Sequence, residues 1–338
     1  MIFVTGGTGL LGSHLLVELT QKNTVTQITA TYRNQSKIAQ VEKVFIHYLG
    51  DGYEPFFKKI RWEHCDLLDV PRLVELISGH KEVYHCAAVV SFKRRDFNRL
   101  MQINRTGTAN IINLSLTHGI EKFCHVSSTA AVGKKDFARD EFITEDGKWV
   151  LTEETSGYSI SKYSAEKEVW RGAEEGLNVV IVNPCVLFGA GNWNESSLVI
   201  FNTIQKGLSF YPPGSNAFVD ARDVATIMYH LMDKNIFGER FLCIGENVSF
   251  QEVFTKIAQK LNKKPPRYKV SKFLMGITWR LSVFWAALTF SSPTITKSSA
   301  LSAFNKSKFG NTKIINRLNF KFRNLEEMID NSIKGRVD

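Results

Sequence analysis

Gly6-Gly7-Thr8-Gly9-Leu10-Leu11-Gly12 lies between an apolar, β-rich run, Ile2–Thr5, and a stretch of helical spacing, Leu10–Lys22. Gly7, Gly9 and Gly12 satisfy a G-x-G-x-x-G spacing, and Gly6, Gly9 and Gly12 a G-x-x-G-x-x-G spacing. Glycines at a strand–helix junction allow a tight turn, let a pyrophosphate approach the backbone, and let helix and strand pack closely. The helix N-terminus then presents free N–H groups to the anion. The whole segment, with Thr8, Leu10 and Leu11 between its glycines, is the candidate dinucleotide cradle.

The end of the next strand reports on the cofactor. An acidic residue about 20 positions past the glycines would bind a ribose 2′-hydroxyl, but no Asp or Glu occurs between Glu18 and Glu42. Tyr32-Arg33-Asn34 ends this strand instead, with Lys37 close behind. A guanidinium is a planar fork suited to a phosphate. Arg33, with Lys37 nearby, therefore favours NADP(H), with NAD(H) as the second choice.

Outward from these segments, strand-like and helical stretches alternate. Ile2–Thr5, Gln27–Tyr32, Ile60–Glu63, Glu82–Cys86, Lys122–Ser127 and Asn178–Asn183 read as strands. Leu10–Lys22, Ser36–Tyr48, Val70–Ser78, Asp96–His118 and Ser156–Glu174 have helical length and spacing. Such alternation predicts an α/β fold, a Rossmann-type doubly wound parallel sheet with helices on both faces. After Pro184 the rhythm loosens into Gly-, Asn-, Ser- and Pro-rich loops, short strands at Ala217–Val219 and Arg240–Ile244, and further helices. The expected division is a nucleotide-binding domain, 1–183, and a smaller mixed α/β substrate lobe, 184–338. Some later segments should return to the first domain.

Composition narrows the class. The chain has 338 residues, 43% hydrophobic and 22% charged, which is ordinary for a soluble globular protein. Met1 runs straight into the first strand, so no signal peptide is expected. The five cysteines, Cys65, Cys86, Cys124, Cys185 and Cys243, lie in or beside apolar runs and read as reduced core thiols. No Cys-x-x-Cys or His-x-x-x-His spacing suggests a metal. A metal-free cytoplasmic protein is expected. The net charge of +10 comes without a recognisable nucleic-acid-binding module, and suits an anionic cofactor or membrane surface better.

Tyr158-Ser159-Ile160-Ser161-Lys162 places a phenol and an ammonium four residues apart, on one face of a helix. A nearby cation favours phenolate, and the pair could then move a proton on or off an alcohol oxygen. The spacing alone is loose, since Tyr163 and Lys167, and Tyr268 and Lys272, share it.

Eight segments in order carry a resemblance. They are Thr5–Gly12, Asp66-Leu67, His85-Cys86-Ala87-Ala88, Asn104-Arg105-Thr106-Gly107-Thr108, Val126-Ser127-Ser128, Tyr158–Lys162, Asn183-Pro184 and Phe218-Val219-Asp220-Ala221-Arg222-Asp223-Val224-Ala225. Together they resemble an extended short-chain dehydrogenase/reductase over nearly the whole chain. The superfamily is that of NAD-dependent epimerases and dehydratases. Asn183-Pro184, and Pro212-Pro213-Gly214 before Phe218, are similar to its dihydroflavonol 4-reductase-like and hydroxysteroid dehydrogenase-like branch.

The resemblance implies roles. Asp66 and Leu67 would hold the adenine, Ala87 and Ala88 would line the dinucleotide groove, and Pro184 and Val186 would flank the nicotinamide. Asn104 and Ser127 join the cofactor set. Ser128, rather than Ser127 or Thr129, would be the catalytic serine. Tyr158–Lys162 begins 30 residues after Ser128 with Ser161 before the lysine, which singles it out. Tyr163 is rotated from Tyr158 by about 140°. Tyr158 would protonate the developing alkoxide, Ser128 would hold the same oxygen, and Lys162 would lower the Tyr158 pKa and bind the ribose. His85 would support the groove.

The expected reaction is reduction of a ketone or aldehyde on an apolar skeleton, or oxidation of the corresponding alcohol. The alternatives are a nucleotide-sugar epimerase or dehydratase and a non-catalytic NADP-binding protein. Dehydratases of the family carry an Asp-Glu pair where this chain has Thr129-Ala130. The substrate is expected to be a small molecule met by Ser91-Phe92-Lys93, Trp193–Val199 and Gly207–Pro213, with the chain a monomer or homodimer. Phe273–Phe290 is apolar except for Arg280, and Lys263, Lys264, Arg267, Lys269 and Lys272 precede it. It reads either as a helix over the pocket or core, or, with 263–290 as a whole, as a peripheral membrane contact.

Overall fold

The apolar runs of the first half pair side by side. The computed structural model describes residues 1–133, 141–153, 155–271 and 303–337. Its strands are β1 (Ile2–Thr5), β2 (Ile28–Tyr32), β3 (Ile60–His64), β4 (Glu82–His85), β5 (Lys122–Val126) and β6 (Val179–Pro184). They continue as β7 (Val186–Phe188), β8 (Phe210–Tyr211), β9 (Ser215–Asp220), β10 (Glu239–Cys243), β11 (Glu246–Ser249) and β12 (Tyr268–Lys269). Seven of them form one sheet in the order β10-β6-β5-β4-β1-β2-β3. Every pair in it is parallel.

Burial explains this arrangement. All four residues of β1 and all six of β6 are buried, as expected for strands covered on both faces. Side chains alternate between the two layers. Ile2 and Val4 join Leu15, Leu16 and Leu19 of the Leu10–Thr20 helix and Val224, Ile227 and Met228 of the Ala221–Asp233 helix. Phe3 faces the other way, with Ile111, Ile112 and Val169. The sheet order reverses beside β1, between β2 and β4, and ligands bind at such a switch point, outside the carboxyl ends of the strands.

The expected helix over Asp96–His118 is broken into Phe97–Leu100, a π turn at Met101–Thr106, and Gly107–Thr117. Beyond residue 183, β10 joins the main sheet and Ala221–Asp233 packs on Leu10–Thr20. The remainder builds a sheet β11-β9-β7 and a pair β12-β8 over a separate core that includes Trp193, Phe201, Phe254 and Met328. Phe273–Phe290 lies outside the described residues. No helix among the described residues is long and apolar enough to cross a membrane.

Candidate active site

The glycine loop is built as a cradle. Gly6 has φ +71°, and a Cβ on it would sit 2.6 Å from the Ala87 nitrogen. A Cβ on Gly12 would sit 2.1 Å from the Gly6 carbonyl oxygen. Gly9 N donates to Gly6 O at 3.0 Å, closing the turn. No side chain caps the Leu10–Thr20 helix, so its first amides are left for a ligand. Gly6, Thr8, Gly9, Leu10, Leu11 and Gly12 line a cleft of about 1460 Å³. Gly7 does not line it. A Cβ there would meet Ala30 Cβ and Leu16 Cδ1, each at 3.1 Å, so Gly7 serves helix–sheet packing rather than ligand contact.

At the end nearest β2 and β3, Arg33, Lys37, Asp66 and Leu67 all border the cleft. Arg33 is exposed and appears in no ion pair among the described residues. Lys37 pairs with Glu195, which reaches across from the loop after β7. Asp66 accepts from Leu68 N at 2.9 Å, which orients its carboxylate. Ala87 and Ala88 form the facing wall. Asn104 departs from the expected cofactor set. It is 1% exposed and lies behind that wall. Its side chain donates to Val89 O and Ser161 Oγ, each at 2.9 Å, and accepts from Val89 N at 2.7 Å. The π turn delivers it there, so Asn104 braces the wall and, through Ser161, the Gly157–Glu174 helix.

At the other end, Ser128 follows β5, and Tyr158 and Lys162 lie on the first turns of the Gly157–Glu174 helix. Ser156 caps this helix, accepting from Ser159 N at 3.1 Å. Ser127, Ser128, Tyr158, Lys162, Pro184 and Val186 all face the same cleft. Burial raises the Tyr158 phenol above its ordinary pKa, and the neighbouring Ser128 hydroxyl opposes that rise. Lys162 Nζ donates to the Val126 carbonyl at 2.7 Å. Burial brings the Lys162 ammonium down to about 8, with Glu166 acting against the fall.

Glu166 is the residue that sequence reasoning missed. One turn beyond Lys162 it is only 2% exposed. It accepts from Ser127 Oγ at 2.6 Å, Asn183 Nδ2 at 2.9 Å and Arg240 Nη1 at 3.0 Å. Asn183 also donates to Ser128 O at 3.0 Å, so one carboxylate ties the end of β5 to β6 and β10. His85 is also buried. It bonds Thr5 Oγ1 at 2.7 Å and Thr108 Oγ1 at 2.9 Å, and burial pushes its pKa down to about 3.

The tyrosines of the other two Tyr/Lys pairs do not line the cleft, and Lys272 lies outside the described residues. Tyr163 stacks on Trp149 with ring centroids 4.2 Å apart, and Tyr268 is exposed in β12. Among the substrate loops, Ser91, Phe92 and Lys93 line the cleft, as do Glu195, Ser196 and Ser197. Trp193 instead is buried in the second core and donates to Ser332 O at 3.1 Å. Gly207–Pro213 does not border the cleft, because Phe210 and Tyr211 pair with β12. Trp149 and Val150 do border it and were not foreseen. Trp149 Nε1 donates to Ser159 Oγ at 3.0 Å, which pins that loop to the Gly157–Glu174 helix. Of the cysteines, Cys65, Cys124 and Cys243 are buried, whereas Cys86 and Cys185 are half-buried at the cleft.

Residues 2–244 match the model of the NAD dependent epimerase/dehydratase family. The chain belongs to that family, whose members include NAD(P)-dependent enzymes acting on CH–OH and C=O groups. It is 27% identical over 277 residues to sterol demethylase protein B of Methylococcus capsulatus, covering 80% of this chain and 78% of that protein. It is 28% identical over 300 residues to anthocyanidin reductase of Arabidopsis thaliana, covering 81% and 84%. The fold is similar to that of yeast methylglyoxal/isovaleraldehyde reductase Gre2 complexed with NADPH, at 22% identity and a TM-score of 0.72, covering 99% and 97%.

Proposed function

We propose that this chain is an NADP(H)-dependent oxidoreductase that reduces a ketone or aldehyde on a largely apolar small molecule, or oxidises the corresponding secondary alcohol. The observation that carries the reading is the convergence of Ser128, Tyr158 and Lys162 from two elements on one cleft, with the Ser128 hydroxyl close enough to act on the Tyr158 phenol. The residues fit the dinucleotide. Gly6 and Gly12 leave a cradle that any Cβ would fill, and the uncapped helix offers amides to a pyrophosphate. Arg33 would take a 2′-phosphate, which favours NADP(H) over NAD(H). Asp66 and Leu67 would hold the adenine, Lys162 the ribose, and Pro184 and Val186 the nicotinamide.

When bound, NADP(H) supplies or accepts a hydride at the carbonyl carbon. The chain handles the oxygen. Tyr158, kept protonated by burial, donates to the oxygen as negative charge develops there, and Ser128 hydrogen-bonds the same atom. Lys162, held at its carbonyl and above Glu166, is protonated at pH 7 and places a positive charge in the wall behind them. Epimerase or dehydratase chemistry is less well supported, because Thr129-Ala130 stand where the family's dehydratases carry acids. A panel of carbonyl compounds read by NADPH absorbance tests the reading. Tyr158→Phe is expected to lower kcat by about 100- to 10,000-fold while leaving NADPH binding in place. Unchanged turnover would remove Tyr158 as the proton donor, and NADPH binding with no turnover of any carbonyl would favour a non-catalytic protein.

A further inference from the structure

Lys93 and Arg99 border the cleft on the side away from Arg33 and Lys37, next to the catalytic tyrosine. The neighbouring Phe92 ring lies edge-on to Tyr158 with centroids 5.6 Å apart, which fixes this segment at the reacting end. The wall here is apolar and open: Val90 is 55% exposed, Phe92 48% and Val150 44%. Exposed apolar side chains beside a catalytic group mark a surface that a ligand covers. The cleft, at about 1460 Å³, exceeds the roughly 300–1,000 Å³ of a single small-molecule site. It has room for a second ligand beside a dinucleotide.

Charge in this segment is lopsided. Lys93-Arg94-Arg95-Asp96-Phe97-Asn98-Arg99 holds four cations and one acid. The acid is already engaged: Asp96 accepts from Ser91 Oγ at 2.6 Å and lies 3.9 Å from Arg95. Lys93 is half-buried, and neither it nor Arg99 takes part in an ion pair among the described residues. A half-buried ammonium without a counter-ion beside an apolar wall is ready to pair with an anion supplied by a ligand.

We propose that the substrate is an apolar carbonyl compound with an anionic group at its far end, a carboxylate or a phosphate ester, which pairs with Lys93 and Arg99 at the mouth of the cleft. The apolar skeleton lies on Val90, Phe92 and Val150, and the carbonyl reaches Tyr158. This rests on the reductase reading for the carbonyl but not for the anion, and the two fail separately under test.

The test uses the full chain with NADP+ and titrates three non-reducible probes, 6-phenylhexanoate, its primary amide and 6-phenylhexyl phosphate, by calorimetry. One charge-assisted contact of about 1.5–3 kcal/mol corresponds to roughly 10- to 100-fold in affinity. At least one anion is expected to bind about 10-fold or more tightly than the amide. The advantage should shrink with salt and vanish in Lys93→Met/Arg99→Met, with NADP+ affinity serving as the folding control. The stronger of the two anions identifies the group. Equal binding of amide and anions, no binding of either anion, or a preference that survives the double substitution overturns the proposal. In parallel, an aryl-alkyl ketone is offered as its acid and its methyl ester. Turnover without acid preference sinks the anionic group alone. Anion binding without any turnover sinks the reductase reading alone.

Discussion

The two ends of the cleft handle charge in opposite ways. At the adenosine end Arg33 stands exposed, and Lys37 meets Glu195 with side chains 32% and 42% exposed. At the Tyr158 end Lys162 and Glu166 are 3% and 2% exposed, their partners Val126, Ser127 and Asn183 are buried, and Arg240 is mostly covered. Water screens the first set, so each charge there acts almost alone. Burial couples the second, so a change to one member leaves another polar group without its partner. On the proposed reading, the open end would tune which cofactor binds and the closed end would hold the catalytic groups in register.

The largest effect is expected from Glu166→Ala. It strips the counter-ion from Arg240, whose side chain is 19% exposed, and an acceptor from Ser127 and Asn183. Breaking a buried pair from one side costs about 3–5 kcal/mol, measurable as a lower denaturant midpoint. A loss under about 1 kcal/mol would show the network to be no more coupled than a surface pair. Glu166→Gln keeps the shape and tests electrostatics. Lys162 stands at about 8 with Glu166 holding it up, so the amide should let it fall further. The ammonium is then lost at lower pH, and the alkaline limb of kcat is expected to move to lower pH. An unmoved limb would separate Lys162 from Glu166.

Arg33→Ala probes the open end. Loss of a charged hydrogen-bonding partner for the 2′-phosphate should raise KM for NADPH by about 10- to 100-fold, with KM for NADH little changed. Added salt should narrow the gap for the wild type but not for the variant. Equal changes for both cofactors would mean that Arg33 supports the loop instead of reading the phosphate.

The same contrast explains what could be read in the chain. The glycine loop and the six strands from Ile2 to Pro184 were legible because local patterns determine them: short apolar runs, helical spacing and a turn that only glycine tolerates at Gly6. Arg33 was legible because its position at a strand end already says what it faces. Glu166 was not. Four residues after Lys162 on a helix, it reads as one half of an exposed pair. Its burial depends on Arg240, 74 residues away in sequence and on a strand that rejoins the sheet late. Asn104 was misplaced for a similar reason, since no residue pattern announces the π turn that directs it to Val89 and Ser161. The direction of the Tyr158 shift also needed three dimensions, because it follows from how deeply the fold buries the phenol. Of the second sheet only β9 was legible, as the strand read at Ala217–Val219; β7 and β11 are short and join it by long-range pairing.

The smallest effect should come from Glu195→Gln, and it is the sharpest check on the comparison. Glu195 neutralises Lys37 where a 2′-phosphate would sit. Its removal should free the ammonium and lower KM for NADPH, without changing KM for NADH. An exposed pair is worth about 0–1 kcal/mol, so the change should stay within roughly fivefold and stability should hold. The double variant Arg33→Ala/Glu195→Gln then measures coupling. Independent exposed charges predict that the two effects on NADPH binding add within about 0.5 kcal/mol. A larger coupling would mean that Arg33, Lys37 and Glu195 act as one unit, and the open end would then resemble the buried one.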